Sequence, residues 1–321
     1  MPETIVVLDP LMPERAERLR ALLPPGFVLT HGTARGDDHL KQIIGEADYA
    51  ISGQVGVSGE VLRAAKRLKL LHKWGVGVDN LDVEAARELG IRVARTTGSN
   101  AVPVAEFTLG LTLAALRCIA YGHAELKKGE WRTGRLPSET FTLSGKTVGI
   151  VGFGAIGRNV AKLVRGFGCT VLYAKRAPLG AEEEAALGVR HAALPELLAA
   201  ADVVTLNCPL TPETTGLIDA AAFRAMKRTA VLVNVARGGV VVEADLVEAL
   251  RGGTIAAAAF DVFETEPLPA DSPLLALDNL VVTPHLAAIA ADNFVPTVNQ
   301  MFGNIARHAR GEPVPEKDLV A

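Results

Sequence analysis

"VGIVGFGAIGRNVAKLVRGFGCTVLYAKRAP", residues 148–178, sets an apolar run before three glycines, a helical stretch and a second apolar run. Gly152, Gly154 and Gly157 stand as GxGxxG where the first strand meets the helix, with small Ala161 on the helix's packing face. Each glycine has its own task. The first permits the tight turn, the second lets a pyrophosphate approach the backbone, and the third lets helix and strand pack closely. The N–H groups of Ala155 and Ile156, in the first helical turn and without intrahelical partners, face the phosphates. Glycine spacing alone is weak evidence, but the strand, turn and helix around it make this a dinucleotide-binding βαβ unit.

The acid that usually completes such a unit is absent. About 20 residues on, a carboxylate ordinarily binds the ribose hydroxyls; here Ala174 stands in that place, followed by Lys175 and Arg176. Without the carboxylate a 2′-phosphate meets no repulsion, and the two cations pair with it, arginine being the better fork for phosphate. NADP(H) is the expected cofactor. If the cations are only solvated surface charges, NAD(H) binds through the pyrophosphate instead.

Short β-branched runs alternate with amphipathic helical stretches along the rest of the chain, which makes the class α/β with parallel sheets. Strands read at "TIVVLD", "FVLT", "YAISG", "LKLLHKW" and "IRVAR" form one set, and a long helix follows from Asn100 to near Gly129. After the irregular "EWRTGRLPSETFTLSGK" comes a second set: "KTVGIVGF", "TVLYA", "VVTLN", "AVLVNVA", "IAAAAFDV" and "LVVTP". A last helix is expected from about Ala287 to Arg310.

Composition excludes several classes. The 321 residues are 49% hydrophobic and 21% charged, enough for a sizeable core in two domains. A net charge of -3, with both signs interspersed, leaves no footprint for nucleic acid. The apolar run 102–121 carries Glu106 and Arg117, costly in a bilayer, so it reads as a buried helix and no membrane partner is expected. Cys118, Cys169 and Cys208 have neither CxxC nor metal-ligand spacing; no metal site is expected, and a reducing cytoplasm fits. The start "MPETIVVLDP" has no signal-peptide features. His31, His39, His72, His123, His191 and His308 lack ligand spacing and read as structural or surface residues.

Three polar residues follow apolar strands of the second set: Arg237 in "VNVARGG", Glu266 in "FDVFETEPLP" and His285 in "VVTPHLAA". The carboxyl ends of strands in a doubly wound sheet line one crevice, so the three can converge. With "KWGVGVDNLD", "GSNAVPVAE", "NCPLTPETTGLID", "AMKRTAVLVNVARGG" and "TPH" in the same order, the chain resembles the D-isomer-specific 2-hydroxyacid dehydrogenase family. That family includes phosphoglycerate, glyoxylate and hydroxypyruvate dehydrogenases or reductases.

The resemblance implies two doubly wound parallel-sheet domains: a Rossmann dinucleotide-binding domain at 100–286, and a flavodoxin-like substrate domain made of 1–99 plus 287–321. It implies that Arg237, Glu266 and His285 are catalytic. Arg237 would hold a 2-oxo acid's carboxylate and polarise its carbonyl, His285 would move the proton, and Glu266 would fix the imidazole. Gly75, Val76 and Gly77 in "WGVGVDN" match the substrate loop, the N–H groups of Val76 and Gly77 meeting the carboxylate. Asp261 matches the residue at the nicotinamide amide, and Cys208 and Pro209 a loop beside the adenosine. Val235 and Ala236 before Arg237, and Ala287 and Ala288 after His285, join the cofactor contacts. One departure is visible: the family commonly has Gly-Ala and then Ser or Thr after the histidine, whereas "LAAIAAD" offers no hydroxyl.

The expectation is therefore an NADP(H)-preferring reductase of small 2-oxo acids such as glyoxylate or hydroxypyruvate. It is expected to form a homodimer through the helix from Asn100 and the loop 130–146. The alternatives are a dinucleotide-sensing binding protein resembling corepressors of the C-terminal binding protein type, and a phosphoglycerate dehydrogenase. A formate dehydrogenase is disfavoured because that group resembles a Gln where Glu266 stands.

Overall fold

In the computed structural model, which describes residues 2–131 and 140–321, the apolar runs form two separate all-parallel sheets. The chain divides into a first unit, Met1–Asn100 with Ala290–Ala321, and a second unit, Ala101–Ile289.

In the first unit, β1 (Glu3–Pro10), β2 (Phe27–Gly32), β3 (Tyr49–Ser52), β4 (Leu70–Lys73) and β5 (Arg92–Ala94) lie in the order β2-β1-β3-β4-β5. The order reverses between β1 and β3, and Asp9 ties the two strand ends together. Its carboxylate accepts from the N–H groups of Gly53, Gln54 and Val55. Both faces of the sheet are covered. Leu40, Ile44, Val61 and Leu62 pack on one; Leu19 packs on the other with Val298, Met301 and Phe302 of the helix Phe294–Ala309. That helix is fixed by a buried polar chain. His72 donates through Nδ1 to the Lys73 carbonyl (2.8 Å), its Nε2 meets the Asn304 amide (3.2 Å), and the same amide reaches Asp318 (3.2 Å).

In the second unit, β6 (Thr147–Val151), β7 (Thr170–Ala174), β8 (Val189–His191), β9 (Val203–Leu206), β10 (Val231–Asn234), β11 (Ala257–Phe260) and β12 (Leu280–Val282) take the order β12-β11-β10-β9-β6-β7-β8. The order reverses between β6 and β9, which puts the glycine turn at the switch point where doubly wound sheets bind ligands. The helices Ala101–Leu116 and Ala155–Arg165 cover one face, burying Val104, Leu111, Val160 and Val164 against Ile150 and Val233.

Three sequence expectations change. The stretch from Asn100 to Gly129 is two helices, Ala101–Leu116 and Ile119–Lys127, bent by 67° at Cys118, whose φ of 50° is left-handed. The Leu116 carbonyl there accepts from the Phe141 N–H instead of continuing the helix. No single helix among the described residues is long and apolar enough to cross a membrane. The last helix begins at Phe294 rather than near Ala287: residues 287–293 are turns and irregular backbone, and the N–H groups of Leu286 and Ala287 go to Asp261. The short edge strand β8 was not anticipated: only Val189 of its three residues is apolar.

Candidate active site

The glycine turn has the shape a pyrophosphate requires. A Cβ on Gly152 would stand 2.5 Å from the Cys208 nitrogen, and one on Gly157 would stand 2.4 Å from the Gly152 carbonyl oxygen. Neither position admits a side chain. Around Gly154 nothing lies within 4 Å of the Cβ position, so the space above it is open. The helix begins at Ala155, leaving the first-turn amides of Ala155 and Ile156 without intrahelical acceptors. Beside the turn, Asn207 Oδ1 is buried with no hydrogen-bond partner. Open space over the second glycine, orphan donors and an orphan acceptor at one switch point fit a dinucleotide.

Ala174 ends β7 opposite Val151, and its carbonyl accepts from the Gly152 N–H at 2.9 Å, so the missing acid is missing at the turn itself. Lys175 and Arg176 are exposed. Arg176 faces the loop that follows β9. There the Glu213 carboxyl is held below its usual range, first by a Thr211 hydrogen bond and also by the Arg176 charge. Cys208 is buried, and burial pushes its thiol up to about 11, which keeps it from acting as a nucleophile. Pro209 is exposed, its carbonyl accepting from the Thr214 hydroxyl.

The catalytic candidates gather in the same unit. Asn234, fully buried at the end of β10, accepts from the Ala236 N–H (3.0 Å) and donates to the Arg237 carbonyl (3.0 Å), turning the chain so that Arg237 leaves the sheet. Val235 and Ala236 are buried within that turn. The next residue locks it onto the Glu266 loop: a Cβ on Gly238 would stand 1.8 Å from the Phe263 carbonyl carbon, so only glycine lets the two backbones touch. Glu266 accepts from the Phe263 N–H through Oε1 (3.0 Å) and from His285 Nδ1 through Oε2 (2.7 Å). Burial works to raise the Glu266 carboxyl. The hydrogen bonds from His285 and Phe263, with the charges of His285 and Arg237, outweigh it and bring the group below its usual range. Glu266 is thus a carboxylate at neutral pH. With Nδ1 donating to it, the imidazole's Nε2 is the nitrogen left to exchange a proton.

His285 sits in a left-handed conformation, φ 55°, which a β-carbon residue adopts only when its surroundings hold it there. Asp261 does so. Its carbonyl accepts from the His285 N–H (2.8 Å), and its fully buried carboxylate accepts from the Thr283 hydroxyl, the Leu286 N–H and the Ala287 N–H. The carboxylate matched by resemblance to the nicotinamide amide therefore builds the histidine turn as well. The Ala287 amide, matched to a cofactor contact, is engaged within that turn, while Ala288 is exposed. Sequence reasoning missed Asn234 and Asn207. Their signal is a polar amide closing an otherwise apolar strand run, in "AVLVNVA" and "VVTLN".

Gly75, Val76 and Gly77 lie in the first unit. Gly75 has φ 139°, where a side chain is strained, and its N–H donates to Thr96 Oγ1 at 3.1 Å. Asn80 braces the far end of the loop, donating to the Val55 carbonyl and accepting from Lys73. Between these anchors the N–H groups of Val76 and Gly77 have no acceptor among the described residues. No group of three or more metal-ligating side chains occurs among the described residues.

The sequence profile of the D-isomer specific 2-hydroxyacid dehydrogenase NAD-binding domain matches residues 109–287. A D-3-phosphoglycerate dehydrogenase of Archaeoglobus fulgidus is 37% identical over 97% of this chain and 58% of its own length. The chain thus spans little more than half of that relative. A glyoxylate reductase of Korarchaeum cryptofilum is 38% identical over 81% of this chain and 78% of its own. Among solved structures, a protein of Thermus thermophilus superposes with a TM-score of 0.87 at 36% identity, covering 99% of this chain and all of that one.

Proposed function

The chain belongs to the D-isomer-specific 2-hydroxyacid dehydrogenases, and from that membership we propose that it reduces a small 2-oxo acid to the D-2-hydroxy acid, NADPH being preferred over NADH. Glyoxylate and hydroxypyruvate are the first candidates. The observation that carries this reading is the 2.7 Å bond between His285 Nδ1 and an ionised Glu266, with the Arg237 charge acting on the same carboxylate.

When bound, the reduced nicotinamide supplies the hydride. Arg237 takes the substrate carboxylate on its fork and polarises the C2 carbonyl, so negative charge arising on oxygen meets a cation already in place. His285 gives its Nε2 proton to that oxygen, and Glu266, accepting from Nδ1, stabilises the imidazolium form that donates. In the reverse direction Nε2 accepts the hydroxyl proton. Within the first unit, the amides of Val76 and Gly77 have no acceptor among the described residues, which suits them to donate to an anion. Gly154 with Ala155 and Ile156 takes the pyrophosphate, and Lys175 and Arg176 the 2′-phosphate.

Steady-state kinetics over a panel of 2-oxo acids with both cofactors tests the reading. A higher kcat/KM with NADPH is expected. Ala174→Asp should reverse it by adding a ribose acceptor that repels phosphate, and Arg176→Ala should reduce it by roughly ten- to a hundredfold, the worth of a charge-assisted contact. Equal use of NADH by the unaltered protein would refute the preference, and no turnover with any 2-oxo acid would refute the activity.

A further inference from the structure

Lys175 and Arg176 belong to a five-residue segment, 175–179, that is held at both ends by side chains outside it. At its far end the Leu179 N–H donates to the Tyr173 hydroxyl at 2.7 Å. At its near end the Lys175 carbonyl meets His191 Nε2 at 3.4 Å. Pro178, with its fixed φ, stiffens the span between them. Tyr173 itself is fully buried, its ring 4.5 Å from Phe153 and edge-on to His191 at 5.3 Å.

A single carboxylate joins the two holding residues. Glu184 Oε1 accepts from the Tyr173 hydroxyl at 2.7 Å and from the His191 N–H at 3.0 Å. Burial raises the Tyr173 phenol, and the charges of Glu184 and Glu183 raise it further, so it remains a donor. These acids follow the two cations in "AEEEAAL", where free carboxylates would repel a phosphate. Glu184 is instead turned onto Tyr173 and His191, and Glu183 is paired with Arg158 at 2.5 Å.

We propose that Tyr173 and Glu184 are specificity-determining positioning residues: with His191 they hold the 175–179 segment in the form that presents Lys175 and Arg176 to a 2′-phosphate. The proposal rests on the reading that those cations select NADPH. None of the three touches the phosphate. They act by sparing the segment an ordering cost on binding, the usual gain from preorganisation.

Calorimetric binding of 2′,5′-ADP and of 5′-ADP separates this from the underlying reading without any turnover. The unaltered protein should bind 2′,5′-ADP more tightly. Tyr173→Phe, which keeps the ring and removes the hydroxyl, should weaken 2′,5′-ADP by up to about tenfold and leave 5′-ADP within about twofold, the loss expected for one net hydrogen bond. In kinetics the same variant should raise the KM for NADPH with kcat unchanged. Glu184→Ala should match it, and Glu184→Gln, which retains an acceptor oxygen, should restore the original ratio. This pair carries the test if Tyr173→Phe does not fold. Equal losses for both nucleotides, or an unchanged ratio in Tyr173→Phe and Glu184→Ala, would overturn the proposal. No preference for 2′,5′-ADP in the unaltered protein would instead overturn the NADPH reading beneath it.

Discussion

Arg237 is placed by its neighbours: Asn234 turns the chain outward, and the guanidinium donates to the Ala236 carbonyl at 2.7 Å, which orients its fork. An ammonium keeps the charge but not the planar pair of donors, so Arg237→Lys should lower kcat/KM for the best 2-oxo acid by at least about tenfold. A loss under about threefold, less than ~1 kcal/mol of transition-state stabilisation, would show that position 237 is not the anchor. Glu266 answers to a different measurement. Glu266 accepts from Nδ1 at 2.7 Å, which fixes the tautomer that leaves Nε2 for the substrate. In Glu266→Gln the side chain carries no charge and can turn its amide nitrogen toward the ring, so kcat for the best 2-oxo acid should fall by at least about tenfold while the KM for cofactor stays within about twofold. Steady-state kinetics check this, and an unchanged kcat would remove Glu266 from the role. All three candidates lie beyond apolar strands in the sequence, but position alone does not single them out: Glu266 shares its turn with Asp261, Glu264 and Thr265, and it is the ordered motifs of the resemblance that mark the three. The contacts that aim them carry no such mark: Asp261 and Ala287, each matched only to a cofactor contact, are 26 positions apart, and folding alone joins that carboxylate to that amide.

At the scale of elements, legibility followed length and apolarity. The long runs that became β1, β6 and β10 stand out by their β-branched residues, whereas β8, with a single apolar residue among three, carries no periodic signal. The break at Cys118 was equally silent, since neither glycine nor proline marks it. The junction of β4 with the helix Phe294–Ala309 makes a pH prediction. His72 is completely buried, and burial brings it down to about 4 from 6.5, against the opposing effects of its Lys73 hydrogen bond and the Asp318 charge. It is therefore neutral in the fold, while the unfolded chain takes up the proton first as pH falls through about 6.5. Stability contributed by the neutral ring is present above pH 6.5 and is lost progressively down to about pH 4, by up to about 3 kcal/mol. Melting temperatures measured from pH 7 to 4.5 should fall more steeply for the unaltered protein than for His72→Gln, which has no ring to protonate. Parallel slopes would place the acid sensitivity elsewhere.

At the scale of the whole molecule the open matter is what covers the apolar residues that the chain leaves outside. The helix Ile119–Lys127 buries none of its residues; Ile119 and Leu126 are each 56% exposed, Trp131 just beyond is 82% exposed, and Val102 on the preceding helix is 55% exposed. Single exposed apolar side chains are ordinary on a protein surface, but a helix with no buried residue and apolar side chains at both ends is not stabilised by its own core. A second copy of the chain is the proposed cover, because the most frequent closed assembly of identical chains is a twofold dimer in which one patch meets its own copy. Residues 132–139, in the loop assigned by resemblance to the same contact, lie outside the described residues, so the helix alone carries this prediction. Light scattering at micromolar concentration should return about twice the chain mass of 33.8 kDa. Leu126→Glu should shift that mass toward the monomer, since an unpaired carboxylate in an apolar contact costs several kcal/mol. Circular dichroism would show whether the variant keeps its fold. A monomer mass for the unaltered chain, or a dimer that Leu126→Glu leaves intact, would mean that this helix is not the contact.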